Sequence, residues 1–167
     1  MKIIVLFLVV FSSLVFPQSE SHISIDEKTQ KDMLIGLCER TSFEHDSFSH
    51  WFTKEYDEYI VSKEELDSLK ELISEFDIKI VMGTWCSDSR REVPRFYKVL
   101  DTLGYPEKKI VIIAVDRTKI DKDGATETLN IELVPTFIIS LYGDEVGRII
   151  ESPEESLEKD LKAIITL

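Results

Sequence analysis

Cys86 is the residue of this chain best placed to do chemistry. It stands where an apolar run, Ile78-Lys79-Ile80-Val81-Met82, gives way to a helical pattern from Ser87 to Leu103. A thiol at such a junction sits at a helix N-terminus. Free backbone N–H groups and the positive end of the helix dipole there favour the thiolate, which is the nucleophile. Trp85 shields one side of it, and Gly83 and Thr84 are small enough to keep the approach open. Asp88 brings a carboxylate close and opposes ionisation, whereas Arg90 and Arg91 favour it. Successive helical side chains lie about 100° apart, so the two arginines cannot both face the sulfur. Further along, Val134-Pro135-Thr136 leads straight into a second apolar run, Phe137 to Leu141.

The elements that must position this thiol are well marked. Ser62-Lys63-Glu64-Glu65 reads as a capping box, opening a helix with Leu66, Leu69, Ile73 and Phe76 on one face. Lys109 to Val115 reads as a second buried strand, and Asp116 to Asn130 as a polar connection with a short helix interrupted by Gly124. Tyr142-Gly143-Asp144-Glu145 is a hairpin turn between strands at 137–141 and 146–151. Ser152-Pro153-Glu154-Glu155 is a second capping box with proline at the first helical position, and Leu157, Leu161 and Ile164 align behind it. From Ser62 the order is helix, strand, helix, strand, helix, strand, strand, helix, which is an α/β domain.

On these residues the chain resembles the thioredoxin superfamily. Trp85-Cys86 at a strand-to-helix junction matches the start of its active-site motif, Pro94 its active-site-helix proline, and Val134-Pro135-Thr136 its cis-proline segment. Gly-Thr-Trp-Cys-x-Asp-Ser, followed by Arg-Glu-Val-Pro, resembles a group of exported members of that family. The resemblance spans residues 62–167 and implies a thioredoxin fold, a central mixed β-sheet flanked by helices, with a helical and aromatic extension at 19–61. It implies that Cys86 is catalytic, supported by Trp85, Ser87, Asp88, Ser89, Arg90, Val134, Pro135 and Thr136. A cis peptide before Pro135 would turn the Val134 backbone toward Cys86, where its N–H and C=O can pair with an extended substrate. Two departures matter. Ser89 stands where thioredoxins carry their second cysteine, so the motif is monothiol. Ile80 stands where they carry a buried aspartate that moves protons. Dithiol reduction through this motif alone is excluded.

The chain has 167 residues, 43% of them hydrophobic, enough for one substantial core. Its net charge of −12 repels nucleic acid and anionic membranes. Lys2 and the apolar run to Phe16 read as a signal peptide over residues 1–18, with an uncleaved N-terminal anchor as the alternative. The expected location is periplasmic or secreted, where the two cysteines could pair. In the extension, Met33, Leu34 and Leu37 fall at helical spacing, so Asp26 to Leu37 is expected to be a helix ending in Cys38. Phe43, Phe48, Trp51, Phe52, Tyr56 and Tyr59 form either a substrate platform or rings that staple the extension to the domain. His45 and His50 match no metal-ligand spacing, and neither metal nor other cofactor is expected.

Three functions fit. In the first, favoured by the Trp85 and Pro135 surroundings, Cys86 attacks protein or small-molecule disulfides, Ser89 hydrogen-bonds the sulfur, and an external thiol resolves the product. In the second, Cys38 and Cys86 form a redox couple or a structural disulfide; Cys38 reads equally as a buried apolar residue. In the third, the domain is a binding or chaperone-like module that has lost turnover. A peroxidase is disfavoured, because the Pro-x-x-x-Thr-x-x-Cys arrangement of peroxiredoxins is absent.

Overall fold

The central strand, 76–82, buries Phe76, Ile78, Ile80, Val81 and Met82 and leaves Asp77 exposed, so one face is covered along its length and the other only toward its end. The computed structural model describes residues 21–121 and 124–166, and the expected leader at 1–18 lies outside them. Its elements are β1 (His22–Ile25), β2 (Asp32–Cys38), α1 (Asp46–Glu58), α2 (Lys63–Leu66), β3 (Phe76–Met82), α3 (Ser87–Leu103), β4 (Ile110–Ala114), β5 (Thr136–Leu141), β6 (Asp144–Ile150) and α4 (Leu157–Ile165). The six strands form one sheet in the order β1-β2-β4-β3-β5-β6. β3 and β4 run parallel, with Met82 opposite Ala114, and the other pairs are antiparallel.

Alternation assigns the faces. Ile78, Ile80 and Met82 of β3, with Ile112 and Ala114 of β4, enter the larger core, which α1, α2, α3 and α4 cover with Phe52, Leu66, Phe96 and Leu161 among others. Val81 and Ile113 point the other way. They pack with Val115 and Val134 beneath Ala125, Leu129 and Ile131 of the long β4–β5 connection. A β-α-β unit with β3 and β4 parallel, continued by an antiparallel hairpin and a closing helix, with β3 central, is the thioredoxin-like α/β arrangement.

The extension differs from its expected form. Asp32–Cys38 is a strand, not the end of a helix, because β2 pairs with β4 through Gly36 and Ala114 and through Cys38 and Ile112. Sheet pairing outweighs the helical spacing of Met33, Leu34 and Leu37. Most of the aromatic stretch falls on α1, with Phe43 in the 3-10 turn before it and Tyr59 just after it, and its rings are staples: Phe43, Phe48, Trp51 and Phe52 are buried, with the Phe52 and Tyr97 centroids 5.7 Å apart. Tyr56 donates to Asp101, and Tyr59 donates to the buried Glu158 at 2.8 Å. The His45 Nδ1 accepts from the Ser47 N–H and so caps α1.

Two helix starts also differ. The Ser62 side chain makes no cap bond; its backbone N–H donates to Glu158 at 3.0 Å, and α2 is a single turn. The last helix begins at Leu157, where the Ser156 hydroxyl accepts from Lys159, while the Glu154 and Glu155 N–H groups donate to Asp160. The described part of the connection at 116–130 holds turns in place of the expected short helix.

Candidate functional site

Cys86 is the N-cap of α3: its carbonyl accepts from the Arg90 N–H at 3.1 Å, and its own N–H donates to Gly83 at 2.9 Å. The thiol is partly exposed. It donates to the Val134 carbonyl at 3.2 Å and lies 4.0 Å from Asp88 Oδ2. The Val134–Pro135 peptide is cis, as expected. Val134 is buried in the smaller core, and the Thr136 hydroxyl donates to Leu133 at 2.7 Å, pinning the turn before β5. Cys86, Asp88, Val134 and Pro135 are therefore brought together, with Ser87 exposed at the rim.

Other expected members of the site point elsewhere. Ser89 is wholly buried, and its hydroxyl accepts from the Gly83 N–H at 3.2 Å, in place of the sulfur contact expected of it. Arg90 donates through Nε to the Thr84 carbonyl, and Arg91 pairs with Asp88 at 2.9 Å, so Asp88 is tied to a cation as well as lying beside the thiol. Thr84 is buried and accepts from the Leu34 N–H at 3.0 Å; it opens no approach. Ile80, at the position the resemblance gives to a proton-carrying aspartate, is fully buried in the larger core.

Cys38 and Cys86 are both free thiols. Cys38 faces the larger core from β2, whereas Cys86 packs against the smaller core on the other face. Cys38 registers with Ile112, which registers with Ile80. Cys38 thus lies two ladder spacings, about 10 Å, from Ile80, and Cys86 follows the far end of that strand and packs on the other face. The folded domain keeps this pair apart. Burial pushes the Cys38 thiol up to about 11.

The group missed by the sequence reading is Arg117, on the connection after β4. Its guanidinium stacks over the Trp85 ring with Cζ 4.7 Å from the centroid, while the indole Nε1 donates to the Val115 carbonyl at 2.9 Å. Arg117 is held there by the buried Asp26, which accepts from Nε at 2.7 Å and from Nη2 at 2.8 Å. Asp26 belongs to the β1–β2 turn, so the extension reaches the site through an ion pair. No spacing between Asp26 and Arg117 signals this contact, because it depends on β2 joining the sheet.

Two expected results follow. Gly83 lies under the indole, and an added Cβ would meet the Trp85 ring at 2.5 Å. Gly83→Ala is expected to displace Trp85 and cost about 1–3 kcal/mol in chemical denaturation. A parental stability with unchanged Trp85 fluorescence would contradict that packing. Secondly, hydrogen bonds from Arg117, then from Thr29, hold the Asp26 carboxyl well below its ordinary 3.8. A depressed folded pKa gives stability that is present above the unfolded value and lost as pH falls toward the folded one. Asp26→Asn should therefore lower the thermal midpoint at pH 7, with the deficit shrinking as pH falls below about 4. A deficit that stays constant through acid would mean the pair contributes nothing.

The fold is similar to that of a protein of unknown function from Pseudomonas aeruginosa, with TM-score 0.54 and 12% identity over 77% of this chain and 89% of that one. Mitochondrial thioredoxin 3 from Saccharomyces cerevisiae, in its oxidized form, aligns with TM-score 0.39 and 17% identity over 67% of this chain and 97% of that one. A mutant thioredoxin from Halobacterium salinarum aligns with TM-score 0.36 and 16% identity over 64% of this chain and 85% of that one. No family model and no curated protein matches the chain.

Proposed function

We propose that this protein is a monothiol thiol–disulfide oxidoreductase of an extracytoplasmic compartment, acting on protein or small-molecule disulfides through Cys86. The observation that carries this reading is the partly exposed Cys86 sulfur at the N-terminus of α3, 3.2 Å from the Val134 carbonyl. The sulfur is accessible at the helix terminus, and the Val134 backbone offers an extended peptide a strand partner beside it. The Cys86 thiolate attacks one sulfur of a substrate disulfide; that S–S bond breaks, and the second sulfur leaves as a thiolate. An external thiolate then attacks the substrate sulfur of the mixed disulfide and releases Cys86. With Ser89 in the first turn of α3, no thiol of that helix performs this second step. Export rests on the apolar N-terminal run.

Ile80 and Ser89 favour a second reading, a binding module that keeps the groove without turnover. Intact-mass measurement separates the two. Reduced protein with Cys38→Ser, mixed with a disulfide-bonded peptide, should gain one peptide mass at Cys86 and lose it on adding glutathione. Absence of any adduct would support the binding module.

A further inference from the structure

The charged groups on the segments that flank Cys86 come from three directions. From α3, Asp88 is paired with Arg91, and Arg90 is turned to the Thr84 carbonyl. From the β4–β5 connection come Arg117 and Asp116; the Asp116 carboxylate accepts from the N–H and hydroxyl of Thr118. The exposed Glu132 lies before Val134. From the β1–β2 turn comes Asp26, fully engaged by Arg117 and Thr29. Arg117 is thus the cation that lies flat against the residue preceding Cys86, on a chain of net charge −12.

Its orientation is defined on two sides. Asp26 occupies the Nε–Nη2 edge, and Trp85 fixes the plane of the guanidinium. Among the described residues, Nη1 makes no hydrogen bond, and the side chain remains 33% exposed. A guanidinium held by one carboxylate on one edge presents the other edge as a ready site for a second carboxylate. Asp26 holds the guanidinium above its ordinary range.

The geometry points to Arg117 as a specificity-determining residue, whose outer edge beside Trp85 favours thiols and disulfides carrying a carboxylate near the reacting sulfur. Asp26 is a positioning residue that acts through Arg117. This inference rests on the oxidoreductase reading of Cys86. In each exchange the Cys86 thiolate forms the new S–S bond, the substrate S–S bond breaks, and the departing sulfur carries the electron pair away as thiolate.

Two aromatic disulfides test it. Dithiobis(2-nitrobenzoate) carries a carboxylate on each ring, and 2,2′-dithiodipyridine is neutral at pH 7. Rates are measured on reduced protein with Cys38→Ser, and each variant's rate with the neutral reagent is its own reference. Arg117→Met is expected to lower the ratio of anionic to neutral rate by about 3–10-fold, the range for losing one partly exposed charge-assisted contact. Arg117→Lys should recover part of the ratio, and raising salt should compress it in the parent. Far-UV circular dichroism checks that each variant is folded. A ratio unchanged in folded Arg117→Met overturns the inference while leaving the oxidoreductase reading intact. Equal losses with both reagents overturn it as well, because they assign Arg117 to holding Trp85 or the thiolate. Failure of the parent to react with either reagent overturns both.

Discussion

In alkylation at neutral pH, Cys86 is expected to react with iodoacetamide at least about 100-fold faster than Cys38. The difference follows from access and ionisation. Cys38 is only 7% exposed on β2, its thiol donates to the Gly36 carbonyl at 3.5 Å, and burial pushes it up to about 11. At pH 7 a thiol of that acidity is about 10⁻⁴ thiolate, against a few per cent for an ordinary exposed one. Cys86 is partly exposed at a helix N-terminus. Replacing Cys86 with serine should remove the fast phase and all disulfide exchange, whereas Cys38→Ser should retain both. Peptide mapping of the alkylated protein reads the order directly. Labelling of Cys38 ahead of Cys86 would show that the reactive thiol has been misassigned.

Ser89→Cys should convert the site into a dithiol. Cys86 is the N-cap of α3 and Ser89 lies within its first turn, three residues on. At that spacing on a helix Cα atoms lie about 5–6 Å apart, within the range a disulfide spans. The Ser89 hydroxyl accepts from the Gly83 N–H, so the new thiol must exchange that contact for the sulfur of Cys86. Losing that acceptor leaves the buried Gly83 N–H without its partner, a cost of about 1–3 kcal/mol in folding stability that does not enter the rate of resolution. An intramolecular thiol resolves the mixed disulfide at an effective concentration no external thiol reaches, so turnover on insulin should rise by about 10-fold or more. A variant that closes the internal disulfide without gaining turnover would show that the groove does not accept protein disulfides, and the binding reading would lead.

The half of the fold that carries Cys86 was legible because its signals are local. The apolar run from Ile78 to Met82, the α3 pattern from Ser87 and the hairpin at Tyr142-Gly143 each report on neighbours in sequence. The extension was not, because Asp32–Cys38 is a strand only by virtue of β4, which lies far along the chain. The two capping boxes failed for a related reason. Glu158 draws the Ser62 N–H away from a local cap, and Asp160 takes the donors that precede Leu157. At the site, Cys86 and Val134 could be placed from motif and spacing, but their electrostatic neighbour could not. Arg90 and Arg91 are adjacent in sequence and turn to Thr84 and Asp88, while Arg117 arrives from another element and is held by Asp26.

The central claim is that Cys86 meets an extended substrate paired with Val134. A crystal structure of protein with Cys38→Ser, trapped at Cys86 as a mixed disulfide with a cysteine-containing peptide, tests it most directly. The expected complex has the peptide extended beside the segment leading into β5, with its backbone bonded to the Val134 N–H and C=O in place of the present thiol contact at 3.2 Å. A peptide joined to Cys86 but making no backbone bond to Val134, or one seated elsewhere, would contradict the account.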